Sequence, residues 1–125
     1  MNSRTSHDFW NGKVHKRMKV NSLSKIPRNF TGKVELANEN FYWYKNGRLH
    51  REDGPAVNYK AGYNSWYLND IFVWNTDCKL DFTNQIILSK KQHSFYPTVQ
   101  VWKILGSNGL YEQIIVPGME EYIQE

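Results

Sequence analysis

The chain has 125 residues, enough for one domain that buries about two-thirds of its unfolded surface, and its 40% hydrophobic and 15% aromatic content excludes compositional disorder and favours strands over a helical bundle. No apolar run approaches the ~20 residues of a membrane-spanning helix, and the single cysteine, Cys78, excludes a disulfide framework and a cysteine-clustered zinc site, as suits a cytoplasmic protein. Charge is uneven: residues 1–33 hold eight basic side chains against the one acid Asp8, a balance of +7, while the remainder holds eight basic and eleven acidic ones, −3.

From the N-terminus, Met1 to Asp8 is polar and lacks the apolar core of a signal peptide. Phe9-Trp10-Asn11-Gly12-Lys13-Val14-His15 parallels Tyr44-Lys45-Asn46-Gly47-Arg48-Leu49-His50, a hairpin pattern, and reads as a partial earlier copy of it at an offset of 35 residues. Residues 1–29 form a basic segment. In one reading Lys13, Lys16, Arg17, Lys19, Lys25 and Arg28 contact phosphates, each neutralised phosphate releasing counterions, while Phe9, Trp10 and Phe30 stack on bases of a single strand. In the other, the same charges are a solvated face. Residues 21–29 read as a linker, because Pro27 disfavours helix at Ile26 and removes a ladder donor. Leu23 and Ile26 are the side chains that would pin it to a core. Thr31 to Leu36 alternates apolar and polar residues and is predicted as a strand, Ala37 to Asn40 as its turn, and Phe41 to Tyr44 as the returning strand with aromatic rings on both faces.

Shifted by 23 residues, the central stretch matches itself: Trp43 falls on Trp66, Tyr44 on Tyr67, Asn46 on Asn69 and Val34 on Val57. Self-similarity at a fixed period marks a repeat. Asn46-Gly47 and Asn69-Asp70 are hairpin signals, since a type I′ turn needs positive φ at both central residues. The run from Trp43 to Val57, with His50-Arg51-Glu52-Asp53-Gly54-Pro55-Ala56 in it, resembles a MORN-type repeat in the variant seen in tandem arrays of bacteriophage and giant-virus proteins. The resemblance spans roughly residues 30–74 and implies a stacking and interaction scaffold with no shared chemistry. In place of a second such tag stands Val73-Trp74-Asn75-Thr76-Asp77-Cys78-Lys79, so the array is expected to close there, with residues 75–125 as a capping region.

His50, Glu52 and Asp53 are the residue types of a general base with carboxylate support or of a nascent metal site. Their bland reading is a turn at Asp53-Gly54, a strand starting near Pro55 and an ion pair for Arg51. Beyond Trp74, Asn75 to Asp77 reads as a turn and Lys79 to Phe82 as one helical turn. Ile86-Ile87-Leu88 reads as a buried strand leaving for solvent at Ser89-Lys90-Lys91. Thr98 to Leu105, a turn at Gly106 to Gly109 and Leu110 to Val116 make a second hairpin, expected as a central pair because both faces carry apolar residues. Met119 to Glu125 is predicted as a short terminal helix anchored by Tyr122 and Ile123.

No Walker A loop, Gly-x-Gly-x-x-Gly, Gly-x-Ser-x-Gly or His-Glu-x-x-His occurs. The expectation is a mainly β, single-domain protein of stacked antiparallel hairpins that binds rather than catalyses and needs no cofactor. Tyr42, Tyr44, Tyr59, Tyr63, Trp66 and Tyr67 are the candidate protein-binding residues, being large, stiff side chains favoured as interface anchors. What the resemblance implies is a phage accessory protein that inhibits or redirects a host protein complex, for example a defence system such as CRISPR. The alternatives are single-stranded nucleic-acid binding and a structural, virion-associated or homo-oligomeric role, with repeat edges inviting a second copy.

Overall fold

The computed structural model describes residues 4–10 and 13–125, with side chains from Arg17 onward. The chain is mainly β, with antiparallel sheets and hairpin-like strand pairs and with parallel pairings of Lys13–Val20 with Gly32–Leu36 and of Leu80–Asp81 with Ile123–Gln124. It resolves into two compact units, one holding the residues up to Arg51 together with Ala56–Asn75, the other Glu52–Pro55 together with Thr76–Glu125. Among the described residues no helix is long and apolar enough to cross a membrane.

The first unit is one sheet. Its strands are β1 (Arg4–Trp10), β2 (Lys13–Val20), β3 (Gly32–Leu36), β4 (Phe41–Lys45), β5 (Arg48–Leu49), β6 (Val57–Asn58), β7 (Asn64–Leu68) and β8 (Ile71–Asn75). They lie in the order β1-β2-β3-β4-β6-β7-β8, with β5 beside β6 on the same edge of β4. β1 and β2 form a hairpin in which Trp10 faces Lys13, and the Asn11-Gly12 turn expected there lies outside the described residues. β2 runs parallel to β3, and the connection between them contains the 3-10 turn Leu23–Lys25. Of its two expected pins, Ile26 packs against the core and Leu23 is exposed.

The sequence repeat is also a repeat of strand register. Val34 faces Tyr42 and Val57 faces Ser65; Tyr44 faces Leu49 and Tyr67 faces Phe72; Lys45 faces Arg48 and Leu68 faces Ile71. Each pair is its predecessor moved on by 23 residues. Both hairpins turn with positive φ at their two central residues, 51° and 79° at Asn46-Gly47 and 50° and 66° at Asn69-Asp70, as a type I′ turn requires.

The two copies diverge after their turns. Past Leu49 the first copy leaves the sheet, because β6 takes the rest of β4's edge, with Phe41 facing Asn58 and Tyr42 facing Val57. Past Phe72 the second copy stays on β7, where Trp74 faces Trp66 and Asn75 faces Ser65 across a bulge. β8 thus occupies the edge that a third copy's first strand would use. The copy without the His-Arg-Glu-Asp-Gly-Pro-Ala tag is thus also the one with the longer last strand, five residues in β8 against two in β5.

A type I′ turn leaves its central amides pointing away from the hairpin, and here the preceding segment accepts them. The Asn46 amide donates to Thr31 Oγ1 at 2.9 Å and the Gly47 amide to the Phe30 carbonyl at 2.9 Å. In the second copy the Asn69 amide donates to His50 Nδ1 at 2.9 Å and the Asp70 amide to the Leu49 carbonyl at 2.8 Å, while Asp70 Oδ1 accepts from the Leu49 amide at 2.7 Å. Phe30-Thr31 and Leu49-His50 therefore do the same work: an apolar residue offers its carbonyl and the next residue offers a side-chain acceptor.

The core of this unit gathers Met18, Val20, Phe30, Val34 and Leu36 on one face of β2 and β3, with Ile26, Tyr42 and Tyr44 packed against it. The opposite face carries Glu35, buried beneath Arg17 at 2.7 Å and Lys19 at 3.6 Å. The Arg17 hydrogen bond holds the Glu35 carboxyl below the ordinary range, outweighing burial, which acts the other way.

In the second unit, β9 (Leu80–Asp81) precedes a three-stranded sheet of β10 (Ile86–Gln92), β11 (Gln100–Gly106) and β12 (Gly109–Ile115), in that order. Its buried face carries Trp102, Ile104 and Ile115. The expected hairpin is there, but only β11 is central; β12 is an edge, with Leu110 and Tyr111 exposed. β10 is likewise an edge, and Ile86 and Leu88 are exposed rather than buried. An apolar run on a three-stranded sheet with one covered face must show alternate residues to solvent.

Two predicted helical turns are corrected. Lys79 to Phe82 is extended, with Leu80 and Phe82 buried and Asp81 exposed; β9 pairs in parallel with β13 (Ile123–Gln124). The terminal segment is a 3-10 turn, Met119–Tyr122, that leads into β13, since so short a stretch cannot offset helix nucleation. Met119, fully buried, anchors it in place of the exposed Tyr122.

At Gly47 an added methyl would fall on the Arg28 carbonyl oxygen, whereas at Gly62, also of positive φ, nothing lies within 4 Å. Gly47→Ala is therefore expected to destabilise the fold by about 3 kcal/mol or more and Gly62→Ala by about 1 kcal/mol, measured by urea unfolding. By the same assay, His50→Ala should cost about 1–3 kcal/mol by orphaning the Asn69 amide, and His50→Asn, which keeps a short side-chain acceptor, should recover part of that loss.

Candidate functional site

The repeat register sorts the aromatic side chains onto two faces. Tyr42 faces Val57, and Val57 faces Ser65, so these three share a face. Alternation then places Tyr44, Tyr59, Tyr63 and Tyr67 on that face and Trp43 and Trp66 on the other. Five of the six candidate binding residues, Tyr42, Tyr44, Tyr59, Tyr63 and Tyr67, are thereby brought together. The sixth, Trp66, is 1% exposed and lies against Trp74 with ring centroids 5.4 Å apart, so it serves the interior.

The tyrosines are held from several directions. The turn after β6 is closed by the Gly62 amide donating to the Tyr59 carbonyl at 2.9 Å, and the Tyr59 amide donates to the Tyr63 carbonyl at 3.1 Å. The Tyr59 and Tyr63 rings stack at 4.4 Å, and Tyr67 meets Phe72 edge-on at 5.6 Å. The turn is tied to the preceding one by the Lys60 amide donating to Asn40 Oδ1 at 2.9 Å and by the ion pair of Lys60 with Glu39. Tyr42 and Tyr44 back onto the core, leaving Tyr63 and Phe72, at 38% and 48% exposure, as the most open rings. Phe72 is a member that the aromatic pattern alone does not single out; its signal is that it stands 23 residues after Leu49, at the position facing Tyr67.

Burial raises the Tyr59 phenol above its ordinary value, with Tyr42, Tyr63 and Tyr67 adding to the shift. Burial likewise raises Tyr44, with Tyr42 and Asp70 adding to it. At neutral pH Tyr44 and Tyr59 are therefore uncharged hydroxyls on stiff apolar bodies, in a surface able to bury ring area and still hydrogen-bond at its tips.

The basic residues of the nucleic-acid reading are dispersed. Lys13 and Lys16 belong to β2, with side chains outside the described residues; Arg17 and Lys19 engage Glu35; Lys25 ends the 3-10 turn, and Arg28 is exposed in the connection beyond it. β2 lies between two strands and is no free arm.

His50 is buried, and its Nδ1 accepts the Asn69 amide, which places the neutral ring's proton on Nε2. Its observed task is to hold a turn. Arg51 lies over the Trp43 ring at 4.3 Å, a cation–π contact that no local pattern announces. Among the described residues no three His, Cys, Asp or Glu side chains gather as a metal site. Cys78 is exposed.

Comparison with protein-family models, with curated proteins and with solved structures finds no match.

Because the folded-state values of Tyr44 and Tyr59 are raised from 10.0, the stability they contribute is complete below pH 10 and is lost as pH rises through the folded values. Of the eight tyrosines, at least two should ionise later than the free side chain when absorbance near 295 nm is measured against pH. Tyr44→Phe and Tyr59→Phe should each remove a late component, and all eight ionising together at the unfolded value would contradict the packing described.

Proposed function

We propose that this protein is a non-enzymatic protein-binding module whose repeat sheet engages its partner through Tyr59, Tyr63, Tyr67 and Phe72, with Tyr42 and Tyr44 as the packed backing. The observation that carries the reading is the gathering of five tyrosines and Phe72 on one face by a duplicated strand register. Aromatic residues held stiff before binding lose little conformational freedom on contact, and they dominate measured interface energetics. The resemblance of residues 30–74 to phage-type repeats supports the narrower form of the reading: an accessory protein that docks on a host complex, such as a defence effector, and blocks or redirects it.

The test uses tagged full-length protein as bait in bacterial lysate, with and without nuclease, beside a Tyr63→Ala, Tyr67→Ala double variant of unchanged circular dichroism. The expected result is a stoichiometric protein complex, indifferent to nuclease, that the double variant fails to recover. Truncating two anchors should weaken binding by roughly 2–4 kcal/mol, thirtyfold or more. Capture that disappears with nuclease would move the activity to the basic residues, and equal capture by both baits would remove the tyrosine face as the interface.

A further inference from the structure

The two edges of the second unit's three-stranded sheet are built differently. β10 carries a bulge between Ile87 and Ser89 and two adjacent lysines, Lys90 and Lys91. Bulges and lysines are how edge strands resist pairing. β12 has neither: its seven residues pair with β11 in unbroken register from Gly109 to Ile115, and its only charged side chain is Glu112. Among the described residues no strand lies on its outer side.

The exposed face of this sheet leads to the same edge. Ile86 faces Leu105 and Leu105 faces Leu110, a row of three aliphatic side chains crossing the sheet, exposed by 59%, 39% and 64%. Beside it Lys103 faces Glu112, and beyond that Val101 faces Ile114. Reading along β12, the open face shows Leu110, Glu112 and Ile114 in turn. A strand laid against β12 would continue each row by one residue, so its inward order should be apolar, basic, apolar at alternate positions.

We propose that β12 is a strand-addition site for an extended peptide segment of the pattern apolar-x-basic-x-apolar, the central cation opposite Glu112. A second copy of this chain is the poorer occupant. Antiparallel self-pairing that matches Leu110 with Ile114 sets Glu112 against Glu112, and like charges directly opposed destabilise a pair. A shift of two residues sets Glu112 against Leu110 or Ile114. Main-chain hydrogen bonds would supply the affinity, and the alternate side chains the selectivity. This site is independent of the tyrosine face.

The probe is a blocked peptide Thr-Val-Thr-Lys-Thr-Val-Thr, whose palindromic order serves either strand direction, titrated into 15N-labelled full-length protein. Amide shifts and slowed exchange should appear at Leu110 to Ile115 and be absent from β10. The same peptide with Glu at its centre should bind roughly fivefold more weakly, and Glu112→Lys should reverse that preference. Leu110→Lys, at an exposed edge position, should leave thermal unfolding unchanged and abolish the shifts. The proposal is overturned if the shifts fall elsewhere, if no shifts appear at millimolar peptide, or if the Lys and Glu peptides bind alike. It is equally overturned if sedimentation velocity shows the chain already dimerised through β12, which would make a second copy the occupant.

Discussion

Four amide groups at two turn tips decide how the repeat sheet is assembled. A type I′ turn satisfies its closing pair but leaves both central N–H groups without an acceptor inside the hairpin, and an amide shielded from water without one costs about 1–3 kcal/mol. Here all four find acceptors just upstream, in Phe30-Thr31 for the first tip and Leu49-His50 for the second. Each hairpin is thereby registered on the segment before it. The close approach also explains the residue at the second turn position. Gly47 sits where the Arg28 carbonyl leaves no room for a side chain, whereas Asp70 has room and uses it to accept from the Leu49 amide.

The tyrosine face is a consequence of that assembly. With the register repeating every 23 residues, an odd number, equivalent positions keep their face because the two-residue Asn46-Gly47 turn sets Tyr44 against Leu49, an odd step, while Leu49 to Val57, Val57 to Ser65 and Ser65 to Tyr67 are even steps on the same face. Tyr44 and Tyr67 then fall on one side and Trp43 and Trp66 on the other. Since β8 fills the remaining edge of β7, the array ends with its most open aromatic residues, Tyr63 and Phe72, in the last copy.

What is legible in the sequence is local. Asn-Gly and Asn-Asp announce positive φ because few other residues accept it, and period-two alternation marks Thr31 to Leu36 and Thr98 to Leu105 as strands, each within two residues of those observed. Five of the six candidate binding residues share a face, but alternate aromatic rings along Phe41 to Tyr44 do not say which face is covered, so the pattern groups Trp66 with side chains it opposes. The task of His50 depends on Asn69, nineteen residues on, and no local pattern pairs them. Leu80-Asp81-Phe82 is too short to show a period, and its partner strand at Ile123–Gln124 is more than forty residues away. The composition of Ile86 to Leu88 suggests burial, while only a covering layer provides it.

The most direct measurement is native-state amide exchange by NMR at single residues. If captured tips organise the repeat sheet, the amides of Gly47, Asn69 and Asp70 should exchange as slowly as those within β4 and β7, through openings that cost most of the global unfolding free energy. Ser107 and Asn108, at the tip of the β11–β12 hairpin, are the internal comparison: their amides find no acceptor among the described residues and should exchange fast. Exchange of Gly47, Asn69 and Asp70 at the rate of Ser107 and Asn108 would contradict the account, because the tips would then be free turns and the shared face of tyrosines would have lost what aligns it.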